Sequence, residues 1–357
     1  MQYKECSRCL LNEGIPGVTF PDQSQNCSVC LDYDRMWGRW SERRTELEQV
    51  FDHARKKRRD YDVLVPLSGG KDSTYVLYLC RREFNLRCLA VTFDNGFLSD
   101  HAKQNIRNAC SRLNVDHFYF RLNNEFLINL YRKFFLKTGF FCPVCMRGMG
   151  VAIGRVQLAF GIPLSLSGTS RRTEEHVNPE FFLDGDLNFI ENVLNEDKND
   201  SCLQVLMRPV GIFRSPPMIK MPDFMEWDYS KIYSAITSEL GWVSPEKDAE
   251  HTDCRVEPVV QYIRYRKFTS ITPELLRFSK LVTCGQMSRA EAMAHAEEAK
   301  KKRGCPQELE WFLNNLNITE QEFDEVIGNS MMHLKYLKKN NAILRRLRAL
   351  KHFRLSC

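Results

Sequence analysis

Between residues 61 and 170, short apolar runs alternate with longer stretches in which apolar residues recur every three or four positions. The first run, 61–67, predicts a buried strand, and after the loop 68–73 a helix is predicted to about Arg82. Further strands are predicted over 88–93, 117–121 and 162–167, with helices over 99–113, 125–137 and 144–160. Strand alternating with helix predicts an α/β fold with a doubly wound parallel sheet. Such sheets bind ligands at the carboxyl ends of their strands. Three glycine-containing loops, 68–73, 94–96 and 168–170, fall there.

The pattern changes on either side of this block. Residues 1–50 carry the turn formers Gly14, Pro16, Gly17 and Pro21 and little periodic apolar sequence. The acidic, polar stretch 184–201 reads as an insertion or lid, and 206–227, with four Met and four Pro, as an irregular segment. From 286 onward the chain reads as helical. Ser288 with Glu291, and Thr319 with Glu322, have the spacing of capping boxes. The expected organisation is a cysteine-bearing segment over 1–50, an α/β domain over 51–240 and a mainly helical region over 241–357.

Hydrophobic residues at 43% and charged residues at 27% exclude global disorder. No 18 apolar residues run together, so no spanning helix and no membrane partner are expected. Residues Met1 to Cys6 lack the apolar core of a signal peptide, which makes the cytoplasm the expected location. Fourteen cysteines in that setting point to metal or catalytic work rather than disulfides. The net charge of +6 permits an anionic partner without requiring one. The basic runs 55–59 and 332–357 would suit a nucleic-acid backbone, or form solvated faces.

Cys6-x₂-Cys9, then seventeen residues, then Cys27-x₂-Cys30 is the spacing of a structural zinc site. A closed shell of four thiolates leaves no position for chemistry, and metal binding becomes folding energy. Cys142 and Cys145 form a second close pair, to which Cys254 is a candidate third thiolate. They could hold a second metal or a 4Fe–4S cluster with one open iron, take part in catalysis, or be small buried hydrophobes.

Ser68-Gly69-Gly70-Lys71-Asp72-Ser73 lies between an apolar strand and a helix. Two glycines allow a sharp turn, and the helix start offers free N–H groups to a phosphate chain. It is not the G-x-x-x-x-G-K-[ST] loop. The string resembles the signature of the PP-loop ATP pyrophosphatases, whose fold is adenine nucleotide alpha-hydrolase-like. The resemblance implies that Ser68, Gly69, Gly70, Asp72 and Ser73 cradle the β- and γ-phosphates of ATP with Mg²⁺. Lys71 stands at the variable position, and with Asp72, Cys142 and Cys145 it is a catalytic candidate. Asp94 and Gly96 look like the adenosine-side loop, and Gly168 and Thr169 like the loop near the α-phosphate.

The likeness extends along the chain. After the Cys₄ segment and the loop come Cys142-Pro-Val-Cys145, Gly241-Trp242, Asp253-Cys254, the string Cys284 to Glu291, and Leu309-Glu-Trp-Phe. This order is similar to that of the N-acetyl sugar amidotransferases of surface-polysaccharide and nonulosonic-acid synthesis. It implies adenylation of an acetamido oxygen and its replacement by ammonia, to give an acetamidino group. It also implies an N-acetyl sugar substrate, a separate glutaminase and an ammonia-channel subunit, since no glutaminase domain is left over in this sequence. The segment 168–176 departs from the Gly-Glu-Asn-like string of that family. Arg171, Arg172 and His176 there could bind an anionic group or form a solvated loop. The rival reading is a PP-loop tRNA thiolase using ATP and an Fe–S cluster, which also carries cysteines in this arrangement. Asp94, Asp253, Glu174 and His251 are general-base candidates by residue type and location.

Overall fold

The computed structural model describes residues 3–15, 17–21, 24–57, 60–173, 187–194, 203–204, 206, 217–243, 251–267, 272–301, 304–329 and 332–336. Five parallel strands form one sheet: β1 (Val63–Pro66), β2 (Cys88–Asp94), β3 (Asp116–Arg121), β4 (Ser165–Ser167) and β5 (Met218–Lys220). Their order is β3-β2-β1-β4-β5. The chain runs outward from β1 through β2 to β3, then crosses back to β4 on the other side of β1. That reversal is a topological switch point, where an open α/β sheet forms its ligand crevice.

β1 and β2 read as continuous apolar runs because they are covered on both faces. β3 lies on the edge, with mostly exposed residues. β5 falls inside the stretch read as irregular. At three residues it is too short to show a period, and it exists through pairing with β4, where Ser165 N–H donates to Pro217 O at 3.0 Å.

Helices α1 (Ser28–Trp37) and α2 (Arg44–Lys56) precede the sheet. α3 (Lys71–Tyr78) continues into one π turn over Leu79–Glu83. α4 (Asp100–Leu113) begins where Ser99 Oγ accepts from Ala102 N–H and ends at Asn114 in left-handed geometry. It buries Ala102, Ile106, Ala109 and Leu113, one stripe at helical spacing. α5 (Asn124–Thr138) is capped by Asn123 and stops at left-handed Gly139, and α6 (Cys142–Ala159) follows with Pro in its first turn. One core joins α2, α3 and α4 to β1 and β2. A second core, rich in Phe, joins α5 and α6 to the C-terminal helices.

The described part of the stretch read as an insertion or lid is not polar throughout. It is helix α7 (Leu187–Val193), with Phe189, Ile190 and Val193 buried. Helical structure also begins before 286, with α8 (Tyr229–Leu240), α9 (Glu257–Lys267) and α10 (Pro273–Thr283). α11 (Arg289–Lys301), α12 (Glu308–Leu316) and α13 (Glu320–Gly328) follow. Both capping boxes form: Ser288 exchanges backbone and side-chain bonds with Glu291, and Thr319 with Glu322. Among the described residues no helix is long and apolar enough to cross a membrane.

The N-terminal segment rests on α10 and α11. Arg8 donates to Thr283 O at 2.7 Å, Leu10 N–H to Ser279 Oγ at 3.2 Å, and Arg289 Nε to Cys9 O at 3.3 Å. Leu276 packs among its cysteines.

Candidate functional site

The Ser68–Ser73 loop turns from β1 into α3 through Gly69 at φ +84°. A side chain there would be strained by the backbone, and its Cβ would stand 2.4 Å from Ala102 O at the start of α4. The Gly69 carbonyl is held by two donors, Trp242 Nε1 at 2.9 Å and Asn105 Nδ2 at 3.1 Å. Ser73 Oγ lies 3.1 Å from Ser68 Oγ and from Gly70 O, and accepts from Ser68 N–H at 3.2 Å. The turn is thus braced before any ligand arrives. α3 begins at this turn, and a helix start presents first-turn N–H groups and a positive dipole end, the setting that suits an anion.

Asp72 is held from two sides. Trp227 Nε1 donates to Oδ1 at 2.8 Å, and Lys71 Nζ reaches Oδ2 at 2.5 Å. Lys71 also lies 4.3 Å from the centre of the Tyr229 ring. Gly168, at the end of β4, backs onto Asp72: a Cβ there would come within 2.8 Å of Asp72 Cβ. Thr169 N–H donates to Ser167 Oγ at 3.1 Å. The switch point therefore brings 68–73 and 168–169 into contact. At the end of β2, Gly96 at φ +81° lets its N–H return to Asp94 Oδ1 at 3.1 Å, while Arg121 stands 3.5 Å from Asp94 Oδ2.

Beneath the loop, Thr92 Oγ1 donates to Leu67 O at 2.5 Å and meets His117 Nε2 at 2.7 Å. Burial pushes the His117 imidazole down to about 4, against about 6.5 in an unfolded chain. Between those values the unfolded chain binds more protons, so stability should fall as pH drops from about 6.5 to about 4 and level off below. Denaturation midpoints across that range should fall more steeply for the natural chain than for His117→Gln. Parallel slopes would show that His117 titrates normally.

Cys6, Cys9, Cys27 and Cys30 are fully buried, with all four sulfurs within 4.8 Å of one another. A tetrahedral ion about 2.3 Å from each thiolate separates them by about 3.8 Å; Cys6–Cys30 and Cys9–Cys27 stand at 3.9 and 3.7 Å. Backbone N–H groups of Cys9 and Cys27 point at Cys6 Sγ. The donor set fits a metal ion held by four thiolates.

Cys142, Cys145 and Cys254 occupy one neighbourhood beside the β2 loop, packed against the Phe-rich core. Asn95 Nδ2 donates to Cys145 Sγ at 3.2 Å, and the Tyr131 hydroxyl reaches Asn95 O at 3.4 Å. Burial pushes the Cys254 thiol up. Among the described residues, the N-terminal four are the one set of three or more candidate ligands close enough to share an ion. The second trio is near the loops but less tightly gathered.

Arg172 is no part of a solvated loop face. It is buried over the Trp40 ring, 4.1 Å from its centre, and donates to Met225 O at 2.7 Å. Arg171 is exposed. Glu174, His176, residues 58 and 59 of the basic run, and 337–357 of the basic tail lie outside the described residues. The loop's anchors Asn105, Trp227 and Trp242 carry no local sequence signal for that task. Of these, only Trp242 falls in a string that the family resemblance marks.

Residues 46–138 match the asparagine synthase family model, and residues 246–351 match that of the LPS biosynthesis protein WbpG-like C-terminal domain. An uncharacterized protein of Methanocaldococcus jannaschii is 22% identical over 305 residues, covering 85% of this chain and 97% of that one. Among solved structures, the U34-tRNA thiolase NcsA from Methanococcus maripaludis, with its 4Fe–4S cluster, aligns over 95% of this chain and 90% of its own. It does so at 12% identity and a TM-score of 0.34. The NMN synthetase from Francisella tularensis aligns over 78% of this chain and 97% of its own, at 11% identity and a TM-score of 0.34.

Proposed function

We propose that this amidotransferase-like PP-loop protein, with its WbpG-like C-terminal domain, uses ATP to turn the acetamido group of an N-acetyl sugar into an acetamidino group. The product would enter a surface polysaccharide. One observation carries the reading. The Ser68–Ser73 loop and Gly168 meet at the switch point of a parallel sheet, in a chain whose C-terminal region matches a lipopolysaccharide-biosynthesis domain.

An amide oxygen is a poor leaving group, and linking it to AMP makes it a good one. The amide oxygen bonds to the α-phosphorus and pyrophosphate departs. Ammonia then adds to the amide carbon, and AMP leaves carrying the former amide oxygen. Two of ammonia's hydrogens stay on the amidinium and the third is lost to solvent. The residues act mainly by holding and neutralising the phosphates. Ser68, Gly69, Gly70, Asp72 and Ser73 receive the β- and γ-phosphates, Asp94 and Gly96 face the adenosine, and Gly168 and Thr169 lie near the α-phosphate. Lys71, paired with Asp72, offers a positive charge at the loop. Residues 1–50 hold zinc on four thiolates and staple the C-terminal helices, and 51–240 carry the activation chemistry. Residues 241–357 contribute to the acceptor side. The ammonia comes from a separate glutaminase through a channel subunit.

The test is incubation with ATP, Mg²⁺, ammonium and a panel of nucleotide-linked N-acetyl sugars. Pyrophosphate should appear together with a sugar whose mass reports one oxygen exchanged for NH. Protein prepared without oxygen should hold one zinc per chain. Sulfide and iron bound at Cys142, Cys145 and Cys254, with no sugar product, would instead favour sulfur transfer to tRNA.

A further inference from the structure

The turn at 251–254 belongs to the region matched by the WbpG-like domain, yet it is sewn onto the segment that follows β2. Ser99 N–H donates to Asp253 O at 2.9 Å, Ser99 Oγ to Thr252 O at 3.0 Å and Arg255 N–H to Phe97 O at 2.7 Å. Leu98 and Cys254 form an antiparallel bridge. Within the turn Cys254 N–H bonds His251 O at 2.9 Å. This stitching, made across more than 150 positions of sequence, puts the Asp253 side chain over the start of α3.

Gly70 shows what lies beneath it. Its backbone, at φ −72° and ψ 164°, is open to any residue, so conformation does not explain the glycine. A Cβ on Gly70 would stand 3.4 Å from Ser68 Oγ and 3.6 Å from Asp253 Oδ2. The missing side chain leaves a gap between that hydroxyl and that carboxylate. The Asp253 carboxylate is partly buried, and among the described residues no hydrogen bond or ion pair reaches it.

A lone carboxylate beside a loop built for phosphates repels them unless a cation stands between. Mg²⁺ is commonly bound by one or two carboxylates together with substrate phosphate oxygens. We infer that Asp253 is a ligand to the divalent cation that enters with the nucleotide, so that the C-terminal region completes the phosphate site through the Gly70 gap. The inference rests on the reading of Ser68–Ser73 as an ATP loop.

The experiment measures binding of a non-hydrolysable ATP analogue by calorimetry, with Mg²⁺ and with EDTA, to the natural chain and to Asp253→Asn. The side chain makes no bond that holds the fold, and circular dichroism will show the variant folded. Asp253→Glu serves as a second variant that keeps the charge. In the natural chain Mg²⁺ should tighten binding. Asp253→Asn should lose about tenfold or more of that gain, since even outer-shell losses at metal sites cost about 10–100-fold. In EDTA it should bind the analogue at least as tightly as the natural chain, because the repulsion is gone; a merely structural role would not produce that reversal. Asp253→Glu should retain part of the Mg²⁺ gain. If Asp253→Asn keeps the whole gain, the inference is overturned and the loop assignment stands. If the natural chain binds no analogue in either condition, the loop assignment itself falls, and the inference with it.

Discussion

Asp72→Asn should nearly abolish pyrophosphate release while leaving the chain folded. In the natural chain Lys71 Nζ and Trp227 Nε1 hold the Asp72 carboxylate, and its side chain is 22% exposed. Asparagine keeps an oxygen for the Trp227 donor and nearly the same volume, so the surrounding packing has little reason to change. What it removes is the negative charge that balances Lys71 and offers a hard oxygen to Mg²⁺. Loss of one preorganised electrostatic contact typically lowers kcat by about 10²–10³-fold, and the same scale is expected here. The comparison requires melting curves that coincide to within a few degrees. A variant that stays within a few-fold of the natural rate would sink the assignment of 68–73 to the phosphates.

Stripping the N-terminal metal should have the largest effect on stability. The Cys6–Cys30 segment has few apolar residues of its own, and the cysteines form most of its small core. Without an ion the four thiols compete for one another's hydrogen bonds: Cys9 is driven up by its bond to Cys27, and Cys30 is driven down by accepting from Cys27. Metal binding to four thiolates contributes on the order of 10 kcal/mol to small zinc domains. Cys9→Ser should therefore lose the metal and unfold the segment. The change should spread to α10 and α11, because Leu10, Arg8, Cys9 and Cys30 all bond or pack there. Metal content and amide exchange over 273–283 measure both parts. Full zinc with unchanged protection of α10 in Cys9→Ser would refute the staple.

Local rules carried much of the fold. Apolar runs ended by glycine turns placed β1, β2 and β4, and the aromatic run over 117–121 placed β3, although that edge strand is mostly exposed. The capping boxes at Ser288 and Thr319 were legible because each is closed within four residues. β5 was not legible, because a three-residue strand has no period and depends on its neighbour. α7 was not legible inside the stretch read as an insertion or lid: its charged neighbours dominate the composition, while Phe189, Ile190 and Val193 make the buried face. Arg172 reads from residue type as an anion site or a solvated loop face, and the fold buries it over Trp40.

Two features were determined by the sequence alone. The spacing Cys6-x₂-Cys9 and Cys27-x₂-Cys30 predicts four sulfurs gathered within reach of one ion, and the four stand within 4.8 Å of one another. Ser68–Ser73 between an apolar run and a helix likewise makes a tight glycine turn by local geometry, with Gly69 in the left-handed region. The tertiary structure decided what braces and completes that turn. Trp242 reaches Gly69 across 173 positions, and Trp227 reaches Asp72 across 155. Asp253 arrives from the C-terminal region, and Cys142, Cys145 and Cys254 come near one another without closing as tightly as the first four. Such meetings depend on how the helices pack against the sheet, and packing is a property of the whole chain rather than of any stretch of it.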